Sequence, residues 1–157
     1  MNLHGMHEAL TSTALRLPPA LRSEIEQWAS ASYPAEACGL LLGHRVEARA
    51  VVTEVRLARN LNVERARDRY ELDPVDWLAA ENDAHARGLE VVGIWHSHPD
   101  RPAQPSETDR TGAWAGWSHV IVSVSSAGAQ EVRSFRLVQG DDDAQRSSAF
   151  VAEGIES

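Results

Sequence analysis

Residues 89–95, LEVVGIW, form an apolar run that starts after Gly88 and leads straight into His96. A short run of this kind, rich in β-branched and aromatic residues, predicts a strand buried in a core. A buried strand must deliver the residues at its end to a fixed place. Those residues are HSHPDRPAQPSETD, His96 to Asp109, a polar stretch with two histidines two apart.

The flanking segments supply the rest of a layered domain. TALRLP predicts a short strand. PPALRSEIEQWASASYP predicts a helix, because Leu21, Ile25 and Trp28 fall at helical spacing, Pro19 suits the first turn, and Pro34 forces a stop before it. EACGLLLG, Glu36 to Gly43, predicts a second buried strand, and residues 48–59 alternate well enough for a third. LNVERARDRYEL has no period and predicts a loop or a flexible edge hairpin. DPVDWLAAENDAHARG predicts a helix with Asp73 as N-cap, Pro74 at the first position and Gly88 as its stop. SETDRTGAWAGW suggests a short helix, and SHVIVSV and EVRSFRLV two strands joined by the turn-rich SAGAQ.

This order predicts an α/β fold: one domain over residues 12–139, with a mixed β-sheet flanked by helices. Residues 1–11 are expected to be a flexible N-terminus. Residues 140–157, acidic and rich in small residues, are expected to form a mobile tail apart from a short element at Ala149 to Val151.

Charge and composition exclude several functions. The chain of 157 residues carries a formal net charge of −8, which argues against nucleic-acid or membrane-surface binding driven by phosphate attraction. All 15 basic residues are arginine, so a Schiff-base lysine and a Walker-type phosphate lysine are absent. The lone Cys38 excludes an intramolecular disulfide and a multi-cysteine zinc finger. Inside an apolar run, Cys38 is expected to behave as a small buried hydrophobe. MNLHGMHEALTST has no basic region leading into an apolar stretch, and no window approaches the roughly 18 apolar residues of a membrane span. A cytoplasmic location is therefore expected.

In an extended segment His96 and His98 point to the same side, so both imidazoles could reach one ion. Catalytic zinc commonly takes two histidines and a carboxylate and leaves a fourth position for water. Asp100, Glu107 and Asp109 are candidates for the carboxylate, with Asp100 awkwardly placed across the stiff Pro99. Ser106 and Asp109 also have the spacing of a helix capping box, which needs no metal. Ser97 should face the opposite way and could orient a ligand from there. Trp95, Trp114 and Trp117 flank the stretch, chiefly for packing, with an aromatic wall for substrate as a second use.

His96, His98, Pro99, Ser106 and Asp109 together resemble the JAMM motif of the MPN-plus metalloproteases: His-x-His-Pro, six residues, Ser, two residues, Asp. YPAEACGLLLG resembles the family's upstream glutamate segment, with Glu36 at the glutamate, and VVGIWHSHP resembles the strand that delivers the histidines. The resemblance spans Leu15 to Val138 and implies the MPN fold, which is cytidine-deaminase-like. It implies that His96, His98 and Asp109 bind one zinc ion per chain, with water as the fourth ligand. Glu36 would take that water's proton and Ser106 would hydrogen-bond the oxygen of the tetrahedral intermediate. The implied reaction is hydrolysis of the amide bond after the C-terminal glycine of a ubiquitin-like or sulfur-carrier protein.

Compact stand-alone members of the family are associated with small β-grasp sulfur carriers ending in Gly-Gly. The bond cut there joins the carrier to an amino acid, a C-terminal extension or a target lysine. Such a tail could add as a strand beside a sheet edge. Residues 61–72, with Arg65, Arg67 and Arg69, occupy the place of the family's tail-clasping insertion. With no second large insertion, a self-sufficient monomer or weak homodimer is expected. The alternatives are a metal-free MPN interaction scaffold, which normally lacks motif residues present in this chain, and a zinc nucleobase deaminase, for which the single Cys38 is too few.

Overall fold

The two apolar runs, EACGLLLG and LEVVGIW, become neighbouring strands. In the computed structural model, which describes residues 14–111, 116–138 and 149–157, β2 (Cys38–Val46) and β4 (Glu90–Pro99) pair antiparallel. Cys38 stands opposite His96 and Leu40 opposite Ile94. On the far side of β2 lies β3 (Arg49–Ala58), also antiparallel. β5 (Ser118–Ser125) runs parallel to β4, and β6 (Gly128–Val138) and β7 (Ala149–Glu156) extend the sheet antiparallel. The three-residue β1 (Ala14–Arg16) pairs parallel with both β3 and β7 and closes the sheet on itself.

The helices fall where caps and prolines predict. α1 (Pro19–Ser32) begins at Pro19 and ends ahead of Pro34. α2 (Pro74–Ala86) is capped by Asp73, whose carboxylate accepts from the Val75 N–H at 2.9 Å, and stops before Gly88 at φ +71°. A left-handed residue there is nearly free for glycine and costly for others. The parallel crossover from β4 to β5 contains α3 (Glu107–Thr111).

Both faces of the central strands are covered, which explains why EACGLLLG shows no polar alternation. Leu41 joins Ile25 and Ala29 of α1, together with Leu15, Val52 and Trp95. Leu40 and Leu42 point the other way, onto Ala80 and Ala84 of α2 and onto Ile94. Each leucine is at most 1% exposed, and such burial contributes roughly 1.5–3 kcal/mol per side chain. Trp28 of α1 stacks on Trp95 at 5.9 Å between ring centroids. The Trp95 Nε1–H donates to the Arg56 carbonyl at 3.0 Å, and a side chain at position 39 would collide with both groups. Only glycine fits at the start of that run.

The structure differs from expectation in two places. The mixed sheet, expected to carry helices on its flanks, is closed into a barrel. The tail assigned to residues 140–157 includes β7, five residues of which pair with β6, while Gly154 to Glu156 pair with β1. Those residues belong to the sheet because Glu153 is buried inside it. Its carboxylate accepts from Ser134 Oγ at 2.7 Å and pairs with Arg136 Nε at 3.2 Å. The expected flexible N-terminus, Trp114 and the first part of the tail lie outside the described residues. Residues 61–71 form a loop, pinned at its base by a single bridge between Asn60 and Leu72. Among the described residues, no helix is long and apolar enough to cross a membrane.

Candidate active site

β4 continues beyond its apolar run through Pro99. The period-two rule then sends His96 and His98 to one side, where their Nε2 atoms stand 3.1 Å apart and each residue is 1% exposed. Asp109, from the first turn of α3, completes the triangle: Oδ1 lies 3.2 Å from His96 Nε2 and Oδ2 lies 3.1 Å from His98 Nε2. Of the three carboxylates open to this role, Asp109 is the one brought in. Asp100 sits in a left-handed turn at φ +56° and accepts from the Tyr33 hydroxyl at 2.7 Å, and Glu107 is exposed.

The capping box forms as well. Asp109 N–H donates to Ser106 Oγ at 3.0 Å, and Ser106 N–H donates to Asp109 Oδ2 at 2.8 Å. Cap and cluster share one carboxylate, so the start of α3 orients Asp109 toward the imidazoles. Because the Ser106 oxygen accepts in this pair, its own O–H remains a donor.

Glu36 arrives from the segment just ahead of β2 and is 3% exposed. One ligand atom each from Glu36, His96 and His98 lies within 4.8 Å of the others. The backbone around Glu36 is tied on two sides. Ala37 N–H donates to Ser97 Oγ at 2.8 Å and Ser97 N–H to the Ala37 carbonyl at 2.9 Å, so Ser97 does face away from the cluster and braces it from behind. On the other side, Glu36 N–H donates to the Ala66 carbonyl, and Asn60 Nδ2 donates to the Glu36 carbonyl at 3.1 Å.

Burial pushes the Glu36 carboxyl up to about 7, against the pull of Arg101 and His98. A general base is most effective with a pKa near working pH. Burial pushes His96 down and so favours the neutral ring, with Asp109 pulling the other way. Burial by itself would raise Asp109, but hydrogen bonds with His96 and His98 hold its carboxyl well below the usual range. Burial pushes the Cys38 thiol up to about 12, which makes it the inert apolar residue expected of it.

The donor set fits one small cation. His98 Nδ1 donates to the Pro102 carbonyl at 2.9 Å, and since a carbonyl can only accept, the proton sits on Nδ1 and the Nε2 lone pair is free. Donors held at 2.0–2.1 Å by a tetrahedral zinc stand roughly 3.3 Å from one another, close to the 3.1–3.2 Å separations in this cluster. Two neutral imidazoles and a carboxylate are also a set that zinc accepts. Glu36 Oε2 is buried without a hydrogen-bond partner beside them.

Three contributors were not legible as site residues. Tyr70 stacks on His96 at 4.5 Å and 24°, fixing a ring whose buried Nδ1 has no hydrogen bond. Asn60 stitches residues 61–72 to the Glu36 backbone, giving its Nδ2 to the Glu36 and Arg69 carbonyls and receiving the Asn62 and Glu71 N–H groups at its Oδ1. Arg101 places Nη2 3.3 Å from Glu36 Oε1. For Tyr70 the hint was its place in residues 61–72, and for the others the turn residues after Pro99 and the asparagine after a strand. A cleft of about 510 Å3 opens beside the cluster, lined by Tyr70, Leu72, Trp77, Ile94 and Trp117 and ending at Asp109.

A single α/β domain thus gathers two imidazoles and two carboxylates beside an apolar cleft, in a cluster that could hold a metal ion. The chain belongs to the family described as prokaryotic homologs of the JAB domain, whose profile matches residues 18–138, in accord with the JAMM resemblance of the sequence. It is 36% identical to the desampylase of Haloferax volcanii over 119 residues, 73% of this chain and 84% of that protein. It is also 36% identical to the CysO-cysteine peptidase of Mycobacterium tuberculosis over 113 residues, 69% of this chain and 72% of that one. A solution structure of a protein from Desulfitobacterium hafniense superposes with a TM-score of 0.71 at 28% identity, covering 92% of this chain and 94% of the other.

Proposed function

We propose that the protein is a zinc-dependent peptidase or isopeptidase that hydrolyses the amide bond after the C-terminal glycine of a small ubiquitin-like or sulfur-carrier protein. The observation that carries this reading is the convergence of His96 Nε2, His98 Nε2 and the Asp109 carboxylate within 3.2 Å, with Glu36 alongside. His96, His98 and Asp109 are the metal ligands. Bound zinc lowers the pKa of water toward about 7 and polarises a carbonyl oxygen.

The side chains do the rest. Glu36 accepts a proton from the attacking water and passes it to the leaving amine, a task suited to a buried carboxylate whose Oε2 has no hydrogen-bond partner. Ser106, with its O–H free, donates to the carbonyl oxygen as negative charge builds there. The cleft ending at Asp109 accepts an extended tail, and its apolar walls exclude water from the scissile bond. Glycines at the end of the tail pass where larger side chains would not. The names of the two relatives, a desampylase and a CysO-cysteine peptidase, support a small protein carrier as substrate.

The test is cleavage of a β-grasp carrier extended beyond its terminal Gly-Gly, followed by mass spectrometry, with zinc measured by elemental analysis. Glu36→Gln should lose about 10²- to 10⁴-fold in kcat while retaining stoichiometric zinc. Wild-type rates in that variant would remove Glu36 from the mechanism, and a protein that takes up no zinc would be a scaffold instead.

A further inference from the structure

The backbone of Arg101 is firmly held while the inner edge of its guanidinium is not. The Ser123 hydroxyl donates to the Arg101 carbonyl at 2.6 Å, and the preceding Asp100 N–H donates to the Val124 carbonyl at 2.8 Å. The guanidinium points at Glu36, with Nη2 3.3 Å from Oε1. Yet among the described residues neither Nη2 nor Nε makes a hydrogen bond, and Glu36 Oε2 is unpartnered too. Asp68 on the neighbouring loop feels the charge of Arg101 but is engaged by Arg65 at 2.6 Å.

Nε and Nη2 form one edge of the planar group, the edge that can grip a carboxylate through two parallel hydrogen bonds. The Arg101 side chain is 32% exposed overall, but its Nε and Nη2 are buried, so the outer part of the side chain reaches solvent while this edge faces the buried Glu36.

We propose that Arg101 is a specificity-determining residue that receives a free carboxylate on the leaving group, so that a carrier joined to a single amino acid is cut in preference to one joined to a lysine side chain. The inference rests on the amide-hydrolase reading above. Hydrolysis adds one water, breaks the glycine C–N bond, leaves the carbonyl carbon as a carboxylic acid and releases the amine with a proton from Glu36. The leaving amine therefore lies against Glu36. In an α-amino acid the carboxylate is attached to the carbon that bears this amine, so its oxygens stand roughly 3 Å away by covalent geometry. That brings them to the guanidinium beside Glu36. A lysine side chain offers nothing there, because its own carboxyl is a long stem away and tied up in a peptide bond.

The test uses one β-grasp carrier ending in Gly-Gly and extended by a single alanine, with the terminal carboxyl free or amidated. Zinc-loaded enzyme should favour the free acid by about 10- to 100-fold in kcat/KM. The ratio should fall to near 1 in Arg101→Met and be partly kept in Arg101→Lys, whatever happens to the rate common to both substrates. Calorimetry on zinc-free protein, where nothing is hydrolysed, should show the same order in Kd. Equal treatment of acid and amide by the wild type in both assays would overturn the proposal, as would a preference that survives in Arg101→Met. If neither carrier is cut while the binding preference persists, the hydrolase reading fails and carboxylate recognition by Arg101 stands.

Discussion

β4 and the segment from Asn60 to Leu72 form opposite walls of one site and are held by different means. β4 is paired on both sides, with β2 from Glu90 to His96 and with β5 from Gly93 to Pro99. The other wall has one backbone bridge and a fan of hydrogen bonds from a single asparagine. Atoms that must converge to tenths of an ångström come from the sheet ladder, which cannot shift without losing many bonds at once. Atoms that line the cleft come partly from a segment held by fewer backbone bonds. Glu36 stands at the junction, braced by Ser97 from the strand and by Asn60 and Ala66 from the loop.

Damage to the strand wall should have the most severe effect. His98→Ala should abolish stoichiometric zinc and carrier cleavage together, leaving the circular dichroism spectrum close to wild type, because the ladder uses backbone groups. Elemental analysis alongside the cleavage assay checks this. Retained zinc would move the ligand set elsewhere.

At the junction, Glu36 should weaken the metal-free protein as pH rises. Its folded pKa of about 7 lies above its ordinary value, so folding favours the protonated form. The stability this lends is present below about pH 4.5 and is lost as pH climbs to about 7 and beyond. Glu36→Gln should therefore stabilise chelator-treated protein at pH 8 by up to about 3 kcal/mol, and by little at pH 4.5. Denaturant titrations at the two pH values would show it, and an equal effect at both would contradict a raised pKa for Glu36.

On the loop, Asn60→Ala leaves the Glu36 and Arg69 carbonyls and the Glu71 N–H without their partner. It should cost roughly 1–3 kcal/mol of stability and lower kcat about 10- to 100-fold, the range seen when the orienting partner of an active group is lost. Zinc content should not change. A loss confined to KM would mean that Asn60 shapes the cleft and does not position Glu36.

The strand wall was legible in the sequence residue by residue, whereas the loop wall was legible only as a loop at residues 61–72, without the contacts that hold it. LEVVGIW and HSHP each obey a local rule, one of apolar runs and one of period two, and Asp73, Pro74 and Gly88 mark α2 by their own conformational preferences. Asn60, Tyr70 and Arg101 act through partners distant in the chain, which no local pattern displays. β7 was read only at its start, as the short element at Ala149 to Val151, for a different reason. Glu153 faces inward and is neutralised by Arg136, so a core position reads as polar and the alternation of AFVAEGIE is lost. The helix cap at Ser106 was visible and so was the motif, but only the geometry shows one carboxylate serving both.

The closure of the barrel bears on how the chain is made. β1 and β7 come from opposite ends of the described chain, so the barrel cannot be sealed until residues 149–156 have emerged from the ribosome. β2, β4 and β5, which carry or support the histidines, are complete at Ser125, well before β7 begins at Ala149. On the proposed metalloenzyme reading, a growing chain gathers the cation while still open, and long-range pairing of this kind folds slowly. Metal supplied during synthesis should then reach the centre more readily than metal offered to the finished protein.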